Sequence, residues 1–163
     1  MMARFVFCLM VLFAGAADAA DWTSYSNPRF GVTIDVPPGF VNDVPEPANG
    51  DGRIFHSADG RAELQVWGNN AVDKDFTTDA AMRMDQDLDN GWIASYTAGG
   101  DGWQAYSATQ SGHVMYVKSI SSCKGKQVLN FRIDYPEEQK KDYDPVVGRL
   151  AKSLKAGPAA ECP

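Results

Sequence analysis

GWQAYSATQSGHVMYVKSISSCKGKQVLNFRIDY, residues 102 to 135, is built of three runs that alternate apolar and polar side chains and are separated by short turns containing glycine. Alternation with period two puts successive side chains on opposite faces of a sheet, and turns this short join antiparallel neighbours. The stretch therefore predicts a three-strand meander: Trp103 to Thr109, His113 to Ser121 and Lys126 to Tyr135. In the last run Leu129, Phe131, Ile133 and Tyr135 share one face, and Val128, Asn130, Arg132 and Asp134 share the other. The middle run carries apolar residues on both faces, Val114, Tyr116 and Ile120 against Met115 and Val117, which predicts helices covering both sides of the sheet.

Upstream, Gly31 to Val36 alternates Val32, Ile34 and Val36 with Thr33 and Asp35, and Pro37-Pro38-Gly39 ends it because proline cannot donate to a ladder. Residues 41 to 52, rich in Pro, Gly and acids, read as an exposed loop. Arg53 to Ser57 and Arg61 to Trp67 flank Ala58-Asp59-Gly60 and predict a hairpin. Gly68-Asn69-Asn70 is expected to break its second arm, leaving Trp67 on the exposed face beside two amides. A helix capped by Thr77 or Thr78, with Phe76 as its staple, runs to about Asn90, with Ala81, Met84 and Leu88 inward and the aspartates mostly toward solvent. Trp92 to Thr97 is another strand, turned at Gly99 to Gly102. After the meander, Asp144-Pro145 starts a second helix with Val147, Leu150, Ala151 and Leu154 on one side, stopped by Gly157-Pro158. The fold class is thus α+β, one α/β/α sandwich with a mainly antiparallel sheet of about six or seven strands.

The N-terminus carries Arg4, an apolar run from Phe5 to Ala17, and the small-residue box Ala17-Asp18-Ala19. This is the pattern of a secretory leader cut between Ala19 and Ala20, and the run is shorter than the roughly 20 residues a membrane-spanning helix needs. Residues 20–163 are then expected to form a single exported domain, periplasmic or secreted, without membrane insertion. Cleavage removes one charge of each sign, so the formal charge of −6 persists and disfavours nucleic acid and anionic lipid surfaces. It also removes Cys8, leaving Cys123 and Cys162 as an even pair in an oxidising compartment. Their disulfide would close a loop of about 40 residues and contribute about 4 kcal/mol in the chain-entropy model.

Chemistry-bearing motifs are sparse. There is no G-x-S-x-G elbow, H-E-x-x-H pair, phosphate loop or dinucleotide fingerprint, so no catalytic, cofactor or metal residue is assigned. Asp85, Asp87 and Asp89 mimic the start of a calcium loop, but Asn90 and Tyr96 stand where its Gly and Glu belong. His113 with Ser111 or Ser107 could enter a hydrolytic triad only if the fold assembles one, and His56 reads as a paired strand histidine. Trp67 with Asn69 and Asn70, and Trp103 with Tyr106, are the aromatic and amide groups suited to partner contact, with packing against a covering element as their alternative role.

The opening Phe30-Gly31-Val32-Thr33-Ile34-Asp35-Val36-Pro37-Pro38-Gly39-Phe40 resembles the start of the PsbP-like superfamily. The closing Tyr135, Tyr143-Asp144-Pro145-Val146-Val147 and Ser153-Leu154-Lys155 are similar to that family's final helix. The resemblance implies an antiparallel sheet between helices used as a binding scaffold, and it carries over no catalytic or metal-binding residue, neither His56 nor His113. The expected function is a non-catalytic exported binding or assembly module with a protein partner. The alternative is a small periplasmic hydrolase or a weak metal-binding protein.

Overall fold

The structure is a computed structural model that describes residues 21–45, 47–157 and 162. The leader and its cleavage point at Ala19 and Ala20 lie outside the described residues. In chain order the strands are β1 (Thr23–Ser26), β2 (Val32–Val36), β3 (Phe40–Val41), β4 (Gly52–Ser57) and β5 (Glu63–Asn70), followed by helix α1 (Phe76–Asp89). Then come β6 (Ile93–Gly100), β7 (Trp103–Gln110), β8 (His113–Ser122), β9 (Gln127–Pro136), helix α2 (Lys140–Ser153) and β10 (Lys155–Ala156).

Seven strands form one antiparallel sheet in the order β3-β4-β5-β9-β8-β7-β6, so the predicted meander is its right-hand half and β9 its centre. α1 leaves β5 on the inner part of the sheet and delivers the chain to the far edge, β6. A second small sheet, β1-β2-β10, lies with α2 on the opposite face. Among the described residues no helix is long and apolar enough to cross a membrane.

The face split read from the sequence is realised. Leu64 and Val66 of β5 and Leu129, Phe131 and Ile133 of β9 are fully buried against Val32, Ile34 and Leu150. Each such side chain contributes about 1.5–3 kcal/mol by leaving water. Tyr143 of α2 stacks on Tyr135 with ring centroids 4.6 Å apart, and Tyr116 stacks on Phe131 at 5.8 Å. Cys123 and Cys162 are joined by the expected disulfide, with Cα atoms 5.5 Å apart.

Several boundaries differ from the sequence reading. Gly68-Asn69-Asn70 does not break β5, which pairs with β9 through Asn70 and Gln127. Gly68 is there for close approach: a Cβ added to it would lie 2.3 Å from Phe30 Cβ. Gly68→Ala is therefore expected to destabilise by about 2 kcal/mol through overpacking, read as a lowered urea midpoint. α1 is capped by Asp75 and not by Thr77 or Thr78: the Asp75 carboxylate accepts from the Thr78 backbone N–H at 2.7 Å, which also lowers its pKa. Phe76 is accordingly the first helical residue, and Gly91 with φ 92° follows the helix end as expected.

α2 begins at Lys140, before Asp144-Pro145, so Pro145 lies inside the helix. A 3₁₀ turn over Glu137–Gln139 feeds directly into the helix, and the Lys140–Asp144 ion pair at 2.8 Å supports the turn that the proline weakens. The helix ends at Ser153 rather than at Gly157-Pro158, because Leu154 is extended and Lys155–Ala156 pairs with β2. The lead-in before β2 is itself a strand, β1, paired along β2 from Thr23↔Val36 to Ser26↔Thr33.

Candidate functional site

α1 meets the sheet through a polar seam. Asp79, Arg83 and Asp87 lie four residues apart on one helix face, beside Ala80 and Met84. Asp79 is 4% exposed, and its carboxylate accepts from Asn69 Nδ2 at 3.0 Å, from the Val72 N–H at 3.2 Å and from Arg83 at 3.3 Å. Asn69 Oδ1 in turn accepts from Arg83 at 3.2 Å and from Asn130 Nδ2 at 3.0 Å, and Ser119 donates to Asn130 Oδ1 at 2.7 Å. Further along, Asp87 accepts from the Tyr106 hydroxyl and, at 3.1 Å, from Arg132, whose guanidinium also lies 5.2 Å from the centre of the Trp92 ring. This corrects the solvent-facing reading of Asp79 and Asp87; Asp85 and Asp89 do face solvent, so the three aspartates of the calcium-like run point apart.

The residues singled out for partner contact separate accordingly. Trp67 is half-buried beneath Arg83, whose guanidinium carbon sits 5.0 Å from the ring centre. Asn69 is used within the seam, and Asn70 is exposed with its Oδ1 3.5 Å from Gln127 Nε2. Tyr106 is 1% exposed, which removes it from any docking surface; burial, reinforced by the Asp87 hydrogen bond, pushes its pKa far upward. Trp103 is 37% exposed and leans over Gly100, where an added Cβ would come within 2.6 Å of the indole nitrogen. Its ring centre is 5.7 Å from Lys118 Nζ.

Both histidines are paired with carboxylates. His56 lies between Asp43 at 2.6 Å and Glu63 at 3.2 Å, and His113 is 2.7 Å from Asp134. Ser111 sits in the turn before β8 with φ 50°, and Ser107 on β7 pairs across to Tyr116, so neither is set beside a histidine as a nucleophile. Among the described residues no group of three or more His, Cys, Asp or Glu could hold a metal ion. The Asp43 hydrogen bond, with help from Glu63, raises the His56 pKa above its ordinary 6.5. A raised folded-state pKa adds stability that is fully present below about pH 6.5 and is lost as pH climbs through the higher value. His56→Gln is therefore expected to cost up to about 1 kcal/mol at acid pH and less at alkaline pH, checked by urea unfolding at both.

The accessible surface lies at a sheet edge, at the strand that ends on the Gly-rich turn, and the sequence did not mark that strand as the edge. Among the described residues β6 pairs only with β7, and all of it but Ala98 is exposed, with Ile93 at 70% and Tyr96 at 51%. α1 packs over β8 and β9 and hydrogen-bonds to β7 through Gln104 and Tyr106, and α2 packs over β2, β8 and β9, so β6 extends beyond the helices as a wing. A cleft of about 560 Å³ opens on the α1 side, walled by Phe76, Met84, Thr97 and Trp103. Another of about 510 Å³ opens on the α2 side, walled by Tyr96, Tyr116, Tyr135 and Lys140. The legible signal was Ile93 to Gly100, a strand without a single charged residue.

No protein-family model matches the sequence, and no curated protein matches it. Solved structures do. The solution structure of cyanobacterial PsbP (CyanoP) from Synechocystis sp. PCC 6803 superposes with a TM-score of 0.60 at 15% identity, covering 88% of this chain and 97% of that one. The Ran-binding protein Mog1p of Saccharomyces cerevisiae gives a TM-score of 0.60 at 12% identity, covering 85% and 96%. Identities this low speak to fold alone. With nearly the whole of each of those chains matched, the protein has the PsbP-like fold that CyanoP and Mog1p share.

Proposed function

We propose that this chain is an exported, non-catalytic binding or assembly module of the periplasm, and that a partner protein docks on the exposed β6 wing. In this reading residues 1–19 are a leader that is removed, and residues 20–163 fold as one domain. One observation carries it: a long edge strand without charges is exposed, with Ile93 and Tyr96 outward and a cleft on each side. Monomeric proteins rarely leave such an edge bare, because it recruits other chains. The fold is also one on which a binding role is known, Mog1p being a Ran-binding protein.

A pull-down from periplasmic extract with residues 20–163 tests the surface. The captured partner is expected to be lost from Ile93→Arg/Tyr96→Arg, which changes only exposed side chains, and retained by Trp67→Ala, whose ring is covered by Arg83. Retention by the arginine variant would sink the reading. Cell fractionation of the full chain is expected to find a protein that begins at Ala20 in the periplasm.

A further inference from the structure

We propose that β6 is the receiving edge for strand addition: an extended segment of the partner, basic at both ends, pairs its backbone with β6 and seats alternate side chains in the two flanking clefts. This rests on the reading of the wing as the partner surface and specifies what occupies it.

The geometry is that of an open ladder. Side chains of an incoming strand point alternately to the two faces of the sheet, and each face beside β6 holds a cleft. On β6 itself Thr97 stands opposite Tyr106 and Gly99 opposite Gln104, and both β7 residues hydrogen-bond to α1, so these positions border the α1-side cleft. Tyr96 stands opposite Ser107 and borders the α2-side cleft. Ala98, Gly99 and Gly100 have little or no side chain and leave room for a neighbouring backbone. The register shifts between Ala94 and Tyr96, so the regular receiving segment is Tyr96 to Gly100. Edge strands are normally protected by Lys or Pro, and β6 contains neither. Main-chain pairing would supply affinity and the clefts selectivity, as in other strand-addition complexes.

Charge chooses the occupant. Asp89 precedes β6 and Asp101 follows it, both exposed, in a chain of net charge −6. A second copy of this chain is a poor occupant: antiparallel pairing of two β6 strands brings Asp89 of each toward Asp101 of the other, and parallel pairing brings like residues together. A segment that is uncharged along the eight residues of β6 and carries Lys or Arg at each end has Asp101 at one end and Asp89, four residues before Ile93, at the other.

The test uses residues 20–163 and short fluorescent peptides that alternate valine and threonine, with two lysines, two serines or two glutamates at each end. The lysine-ended peptide is expected to bind about tenfold more tightly than the glutamate-ended one, and Asp89→Lys/Asp101→Lys to reverse that order. Tyr96→Arg should abolish binding of the lysine-ended peptide while the circular dichroism spectrum is unchanged. Equal affinity across the three peptides, binding of none of them, or indifference to the aspartate reversals would overturn strand addition by a basic-ended segment. A photo-crosslinker at position 96 separates this failure from failure of the surface itself. A crosslink to a helical or acidic region of the partner, or to a second copy, overturns the strand proposal while keeping the surface in use. No crosslink from position 96 to anything overturns both.

Discussion

Asp79→Ala is expected to lower stability by about 3–4 kcal/mol, among the largest effects available from one side chain. Its carboxylate is almost wholly buried and takes three hydrogen bonds, from Asn69, from the Val72 backbone and from Arg83. Alanine leaves a part-buried amide, a backbone N–H and a partly buried guanidinium each short of one partner. Each loss costs about 1–3 kcal/mol, reduced by whatever water can reach the guanidinium. Asp79→Asn keeps the acceptor but not the charge and should cost roughly half as much. Asp85→Ala, one turn and a half further on and exposed, should stay within about 0.5 kcal/mol. Urea midpoints give all three values. Because an unpaired buried charge is worse than none, Asp79→Ala/Arg83→Met should recover part of the loss, and strict additivity of the two changes would contradict the account.

Loss of the Cys123–Cys162 disulfide, by Cys162→Ser or by reductant, is the second large effect. The bond joins residues 39 apart in sequence and restricts the unfolded chain over all of β9 and α2. In the chain-entropy model that is worth about 4 kcal/mol, which for a chain of this size lowers the thermal midpoint by roughly 10 °C. The folded state should be little changed, since the strand pairing of β9 and the packing of Leu150 do not involve either cysteine. The outcome is checked by melting the oxidised and reduced proteins in parallel; coincident curves would show that the bond contributes nothing to stability.

How much of this was legible in the sequence depended on the range of the interaction. The faces of β5 and β9 were readable because alternation is a local consequence of the pleat, and the 0% exposure of Leu129, Phe131 and Ile133 follows from it. The ends of α2 were misread because Asp-Pro is a strong local start signal, overridden by packing of Tyr143 against Tyr135 one turn before Val147. The cap of α1 was misread by a few residues for the same reason, since Asp75, Thr77 and Thr78 are all competent caps and only the path out of β5 selects Asp75.

The candidate site shows the contrast most clearly. Asp79 and Asp87 looked solvated because carboxylates usually are; that they face the sheet depends on Asn69, Asn130, Tyr106 and Arg132 being brought beneath α1 by three different strands. Tyr106 looked available for contact until α1 covered it. Conversely, a strand was read at Trp92 to Thr97 with a turn from Gly99, whereas β6 runs from Ile93 through Gly100 because Gly99 and Gly100 pair with Gln104 and Trp103, and nothing local reveals that a strand is an edge.

The sequence by itself determined the alternation of β2, β5, β8 and β9, the presence of two helices, the inward face of β9 and the single pairing open to Cys123 and Cys162. These follow from periodicity and residue count, which are properties of neighbouring positions. The tertiary structure alone decided the strand order, the polar seam under α1, the burial of Tyr106 and the bare edge at β6. Each of those depends on which distant segment arrives to satisfy or to leave open a hydrogen-bonding group, and no local pattern carries that information.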